Sequence, residues 1–192
     1  KTIIATGSKP VTPDFMGYDK NRVITSTEAL NLSEVPSSMI VIGAGVIGLE
    51  LGSVFARLGT KIEVVEYMDR ILPGMDTDCA KELQKSLKGL GMAFHLSHAV
   101  SEVKGGKKQV SVTMKANNGE TPVTLTADYC LIAIGRKPYT TGLGLENIGV
   151  ATDEKGRIVV DDHLQTAVEG VFAIGDVIRG AMLAHKAEEE GV

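Results

Sequence analysis

The chain has 192 residues, 43% of them hydrophobic, a net charge of −4 and 22 glycines. That length holds one large domain, or one domain plus parts of another, and the glycine content suits an α/β protein with many tight turns. No basic excess points to nucleic acid, and no apolar run reaches the about 18 residues that would span a bilayer.

Residues 1–8 predict a strand ending in Thr6-Gly7-Ser8, after which Pro10, Pro13, Gly17 and Asp19 break regular structure. A short helix is expected near 26–32, and Pro36 marks entry to the next unit. An apolar strand at 39–42 then runs into Gly43-Ala44-Gly45-Val46-Ile47-Gly48, followed by an apolar helix and a second strand at 62–65 that ends on Glu66. After the loop 67–75, Asp76 is a good N-cap for a helix at about 77–88. Ala80, Leu83 and Leu87 recur there at helical spacing, and Gly89 or Gly91 ends it.

From Ala93 the period changes to two. A short strand at 94–96 precedes segments 100–104, 109–115 and 122–126, separated by Gly105-Gly106 and Asn118-Gly119, two successive hairpin signals. Residues 129–134 return as a continuous apolar run of the kind a central parallel strand needs, ending on Gly135-Arg136-Lys137-Pro138. A short strand is expected at 156–160, then a buried strand delivering Asp176 at its carboxyl end, and a helix from about Leu183. The expected fold is therefore α/β: a Rossmann-like doubly wound parallel sheet with an inserted three-stranded antiparallel meander. The chain opens inside a strand, without methionine or targeting segment, and stops inside a helix, so a piece of something longer is expected and its compartment is undetermined.

Strand, glycine turn, helix, strand and acid form the fingerprint of a dinucleotide-binding βαβ unit. Gly43 permits the tight turn, Gly45 lets a pyrophosphate approach the backbone, and Gly48 lets the helix pack closely on the strand. The helix N-terminus offers unpaired N–H groups and a partial positive charge. Glu66 lies 18 residues beyond Gly48, where its carboxylate can accept hydrogen bonds from an adenosine ribose and disfavour a 2′-phosphate, so NAD is expected over NADP. The alternative is a Rossmann-like unit that has lost its ligand. Cys79 and Cys130, with 50 residues between them, have neither redox nor metal-ligand spacing and read as packed thiols. No catalytic residue and no metal ligand is assigned.

Taken together, 5–8, 43–50, Glu66, 71–76, 134–138, 173–176 and 182–188 resemble the flavin-dependent pyridine nucleotide–disulfide oxidoreductases over essentially the whole chain, and within them the dihydrolipoamide dehydrogenase branch. The resemblance implies the end of an FAD domain at 1–35, an NAD domain at 36–150, and a return into the FAD domain at 151–192. NAD would be held by Gly43, Ala44, Gly45, Val46, Ile47, Gly48, Leu49, Glu50 and Glu66, with Val100 near the adenine and Gly135 beside the nicotinamide half. FAD would be held by Thr6, Gly7, Ser8 and Asp176, with Met182, Leu183, Ala184 and His185 at a helix start beside the flavin ring. The alternative for Glu50 is an exposed helix carboxylate and for Asp176 a turn or N-cap residue; His185 reads as well as a partly buried hydrogen-bonded histidine, and Arg136 as a bridge to flavin or cofactor phosphates or as a solvated arginine. His95, His98 and His163 read as surface or strand residues.

The resemblance further implies a lipoyl-bearing protein of 2-oxoacid dehydrogenase or glycine cleavage complexes as partner, and a homodimer for the full-length protein. It implies the mitochondrial matrix in a eukaryote or the cytoplasm in a bacterium. The redox disulfide and the His–Glu base of such enzymes are not among these residues, so the segment alone is expected to be inactive. Another FAD/NADH disulfide reductase or an NADH oxidase is the nearest alternative; a non-catalytic NAD-binding module is the alternative of a different class.

Overall fold

A computed structural model describes residues 1–119 and 121–192. In chain order its elements are β1 (Thr2–Ile4), β2 (Ser8–Pro10), β3 (Val23–Ile24), α1 (Ser26–Ala29), β4 (Ser38–Ile42) and α2 (Val46–Arg57). There follow β5 (Lys61–Val65), α3 (Thr77–Gly89), β6 (Ala93–His95), β7 (His98–Gly105), β8 (Val110–Ala116) and β9 (Val123–Ala127). The chain closes with β10 (Tyr129–Ile132), β11 (Arg136–Pro138), β12 (Val171–Ala173) and α4 (Ala184–Glu190).

Two compact units result, one of Pro10–Gly135 and one of Lys1–Lys9 with Arg136–Val192. The sequence-based boundaries at 35/36 and 150/151 differ from these. Residues 10–35 join the larger unit because β3 adds to its sheet in parallel with β10, through Cys130↔Val23 and Leu131↔Ile24. Residues 136–150 join the smaller unit, where β11 pairs with β2 and Leu145 and Val150 enter the core.

The larger unit is built on a five-stranded parallel sheet in the order β3-β10-β4-β5-β6. Its central strands are apolar at every position of β10 and at 39–42 of β4, as burial on both faces requires. Alternation assigns the faces. Ile24, Met39, Val41, Ile62, Val64 and Leu131 pack against residues of α1, α2 and α3, including Ala29, Leu49, Phe55, Ala80 and Leu87. On the other face Val23, Ile40, Ile42, Val65, Cys130 and Ile132 meet Val103, Val110, Val112, Met114 and Ala127 of the antiparallel sheet β7-β8-β9. The meander thus covers the face that helices occupy in a plain doubly wound domain.

At the start of α3, Asp76 caps the helix, its carboxylate accepting N–H groups from Asp78 (2.9 Å) and Cys79 (3.1 Å). Those backbone donors, Cys79's first, hold the Asp76 carboxyl below its ordinary range. Ala80 and Leu87 are buried as the spacing requires, but Leu83 is 37% exposed and lies off the packed stripe.

Four predicted strands are altered. The strand expected to deliver Asp176 ends as β12 at Ala173, and left-handed Gly175 (φ +72) turns the chain into the 3₁₀ turn Gly175–Val177. Residues 1–8 break into β1 and β2, with Gly7 at φ +73 between them, and the run 129–134 ends as a strand at Ile132. At 156–160 there is no named strand, only the isolated bridge Thr152↔Ile158. Asp153 accepts N–H groups from Lys155 and Arg157 and an Arg157 Nε–H bond (2.7 Å), forming the turn ahead of this run. The Ile158 and Val159 amides then donate to two separate segments, at the Val177 and Ala151 oxygens, instead of to one partner strand. In the smaller unit β1 pairs in parallel with β12, over a core of Leu145, Val150, Ile158, Ala173, Val177 and Ile178.

The two thiols have opposite environments. Cys79 is exposed and Cys130 is fully buried in β10, where burial, with the Asp19 carboxylate adding to it, pushes its pKa far up. One thiol per chain is expected to react with an alkylating reagent under native conditions, and the second only on unfolding, as counted by mass spectrometry. Rapid double labelling would contradict the packing of β10.

Candidate nucleotide site

The glycine turn sits at the carboxyl end of β4, and each glycine has a separate physical role. Gly43 is buried with φ +101, a conformation costly for other residues, and a Cβ there would lie 2.5 Å from the Ala133 carbonyl oxygen. A Cβ on Gly48 would lie 2.3 Å from the Gly43 oxygen and 3.1 Å from Val41 Cγ1, so its absence sets how closely α2 approaches β4. Gly45 is different. It has φ −79 and ψ −180, which any residue adopts, and a Cβ on it would meet nothing within 4 Å. Its missing side chain therefore leaves open space outside the protein backbone, which is what an approaching ligand needs.

Gly45 is also the N-cap of α2, with no side-chain capping bond and no acidic residue in the first turn. The first turn of the twelve-residue α2 therefore carries no acid of its own against the helix's positive end. Val46, its first residue, is exposed and Ile47 half-buried, whereas Ala44 and Leu49 are buried in the helix-side core. Glu50 is exposed one turn into the helix.

Glu66 is only 8% exposed. Its Oε2 accepts the Ala44 N–H at 2.7 Å and its Oε1 accepts the Met68 N–H at 2.8 Å. The acid at the end of β5 is thus tied to the glycine turn itself. A second tie joins the 67–75 loop to the turn, since the Leu72 N–H donates to the Ala44 oxygen at 2.9 Å, with Leu72 at φ +47. Beyond Glu66, His98 N–H donates to the Glu66 carbonyl, which brings the start of β7 alongside; Val100, two residues on, is half-buried at the edge of the meander-side core. Gly135 is exposed at φ +129 and follows Ala133 and Ile134, which face the Gly43 turn. The structure therefore gathers Gly43–Gly48, Glu66 and the 133–135 segment at the carboxyl ends of adjacent parallel strands, where open α/β sheets bind ligands.

The residues expected at a flavin site fall in the smaller unit. Ser8 Oγ–H donates to Asp176 Oδ2, while Arg136 donates from Nε to Ser8 Oγ and from Nη2 to the Ser8 carbonyl, both at 2.7 Å. Thr6 Oγ1 donates to the Tyr139 carbonyl at 2.7 Å, and Gly7 is left-handed. Asp176 is half-buried in the 3₁₀ turn Gly175–Val177, after β12. Arg136 is thereby half-buried and engaged, not simply solvated. Met182 is half-buried; Leu183 is the N-cap of α4, and Ala184 and His185 in its first turn are exposed. His185 is therefore not the partly buried histidine allowed for above. The Arg136–Ser8–Asp176 chain escaped the sequence reading because its members are 128 and 168 residues apart. The only signal for it was that all three fall in segments already singled out.

Among the described residues no group of His, Cys, Asp and Glu is arranged to hold a metal ion, and no helix is long and apolar enough to cross a membrane.

A parallel sheet with a glycine turn, an open helix start and an acid at the next strand end defines a Rossmann-like α/β unit. Residues 1–191 match the pyridine nucleotide-disulphide oxidoreductase family, and the chain belongs to it. It is 50% identical over 190 residues to dihydrolipoyl dehydrogenase 3 of Pseudomonas putida, covering 99% of this chain and 41% of that protein. It is 51% identical over 193 residues to the mitochondrial dihydrolipoyl dehydrogenase of Dictyostelium discoideum, covering 99% and 39%. Among solved structures, the HOCl-induced flavoprotein disulfide reductase RclA of Escherichia coli superposes with a TM-score of 0.88 at 33% identity, covering 98% of this chain and 42% of that one. The chain thus spans about two fifths of the length of these relatives.

Proposed function

We propose that this chain is the NAD-binding segment of a dihydrolipoamide dehydrogenase, the activity that the names of its 50–51% identical relatives carry. In this reading 36–150 belong to the NAD domain, while 1–35 and 151–192 are parts of the FAD domain. The longer protein oxidises protein-bound dihydrolipoamide through a redox disulfide and FAD and passes hydride to NAD⁺. It works as a homodimer with a lipoyl-bearing protein of a 2-oxoacid dehydrogenase or glycine cleavage complex, in the mitochondrial matrix of a eukaryote or the cytoplasm of a bacterium.

One observation carries the reading: the open face of Gly45 stands beside a buried carboxylate already bonded to the same turn. Main-chain N–H groups at Gly45, Val46 and Ile47 would receive the pyrophosphate. A carboxylate oxygen has about two acceptor positions, so each Glu66 oxygen retains one for a ribose hydroxyl while holding its amide. A 2′-phosphate there would meet like charge in a poorly solvated spot. Glu50 and Gly135 would line the nicotinamide half and Val100 the adenine. Bound coenzyme supplies the hydride acceptor.

In the smaller unit, Asp176, oriented by Ser8 and Arg136, would accept hydrogen bonds from ribityl hydroxyls, and the backbone at Met182–His185 would face the flavin ring. Neither Cys79, exposed on α3, nor Cys130, buried in β10, can form a redox pair with the other.

Calorimetric titration of the chain with NADH and NADPH tests the proposal; tighter NADPH binding would reject it. Mixed with FAD, NAD⁺ and dihydrolipoamide, the chain alone is expected to give no turnover by absorbance at the NADH band.

A further inference from the structure

The meander that covers one face of the parallel sheet also builds a cleft at the sheet's opposite end from the glycine turn. β3 and β10 begin at Val23 and Tyr129, so the loop 19–22 and the start of β10 lie at the amino ends of the strands. Together with the β7–β8 turn at 105–107 they line a wide, open cleft of about 750 Å³. Lys20, Arg22 and Lys107 bring three cations to its lining and Asp19 its single carboxylate, in a chain whose net charge is −4.

The cations are differently held. The Arg22 guanidinium lies 4.6 Å from the Tyr129 ring centroid and its Nη1 reaches the Asp128 carbonyl at 3.5 Å, so it is fixed against the cleft wall. Lys20 has φ +63, a left-handed backbone that an unbranched non-glycine residue adopts only when its surroundings impose it. Here they do: Asp19 Oδ1 accepts the N–H groups of Asn21 (2.8 Å), Arg22 (2.9 Å) and Val23 (2.9 Å), winding the loop around the carboxylate.

That winding selects the kind of ligand. The Lys20 N–H is taken by the Val23 oxygen and the Gly106 N–H by the Gln109 oxygen, so these amides, with those of 21–23 on Asp19, are spent internally and do not form a phosphate nest. What faces the cleft is side-chain charge on long stems, spread across a wide opening. Such a surface matches carboxylates spaced along a polypeptide better than one compact phosphate. We propose that this cleft docks an acidic segment of a partner polypeptide, its Asp and Glu side chains pairing with Lys20, Arg22 and Lys107. The site stands apart from the nucleotide reading and does not depend on it.

Fluorescence anisotropy of a labelled hexaglutamate peptide with the 192-residue chain tests this. Binding is expected at low salt, weakening as ionic strength rises and unchanged by saturating NAD⁺, which would occupy the far end of the sheet. Lys20→Gln combined with Lys107→Gln, exposed positions where charge is removed and polarity is kept, is expected to weaken binding about tenfold. No binding by the parent chain, equal binding by the double variant, or displacement by NAD⁺ would each overturn the proposal. Stoichiometric displacement by inorganic pyrophosphate at matched ionic strength would also overturn it, by making the cleft a phosphate site.

Discussion

Gly45→Ala is expected to weaken NADH binding about 30-fold, the loss of one or two charge-assisted hydrogen bonds, while leaving the melting temperature close to that of the parent. Gly48→Ala is expected to do the reverse first: it destabilises the fold, and binding falls because the turn is displaced. The contrast follows from what each new methyl group meets. At Gly45 the backbone is in an ordinary extended region and the methyl enters empty space. Its cost to stability is about 0.5–1 kcal/mol, from alanine being a poorer N-cap than glycine. At Gly48 the methyl meets the Gly43 oxygen at 2.3 Å and the side chains of Val41 and Ala133 at 3.1 and 3.2 Å. Overpacking of this kind costs up to about 3 kcal/mol, and the helical preference of alanine returns at most about 1. A net loss of about 2 kcal/mol should lower the melting temperature by about 5 °C in a chain of this length. Thermal melting and NADH titration of both variants decide it. If Gly45→Ala binds NADH like the parent chain, no pyrophosphate lies over the turn.

Glu66→Ala should lower stability and affinity together. The carboxylate is buried and holds two main-chain amides, so its removal strands the buried Ala44 N–H without its acceptor. An unsatisfied buried donor costs about 1–3 kcal/mol. The Met68 amide, in a more exposed stretch, can turn to water. Coenzyme binding then suffers twice, from the loss of the ribose acceptor and from a loosened turn. Discrimination against NADPH should shrink at the same time, because the negative charge that repels a 2′-phosphate is gone. Titrating the variant with both coenzymes separates the effects. Unchanged selectivity with a lowered melting temperature would leave Glu66 as a purely structural clamp.

The role of Glu66 shows where sequence reading stops. Its position at the end of β5, after a glycine turn and an apolar helix, was visible in the order of residue types. That its two oxygens grip Ala44 and Met68 was not, because it depends on how β4 and β5 are placed side by side, with Ile42 opposite Val65. The meander behaves similarly. Alternating Val110, Val112 and Met114 with glycine turns on either side marked three antiparallel strands. Nothing local marked that their apolar face would lie on Ile40, Ile42 and Cys130.

The strand predicted at 156–160 failed for a reason of another kind. β-branched residues favour extension, but the Asp153 turn takes the amides of Lys155 and Arg157, and those of Ile158 and Val159 go to two different segments, so no continuous ladder forms. Leu83 fits the helical period yet is exposed, because burial depends on which neighbour a helix face meets.

Residue order alone determined the βαβ unit, the apolar strands and the presence of glycines and an acid at the spacing a dinucleotide requires. These are short-range consequences of backbone sterics and hydrophobic period, and they need no knowledge of distant residues. Tertiary structure decided the rest: which glycine fills space and which leaves it open, the Arg136–Ser8–Asp176 chain, and the cationic cleft between residues 19–22 and 105–107. Each depends on contacts across tens to more than a hundred residues. Such contacts arise only when the chain closes its loops to bury apolar surface.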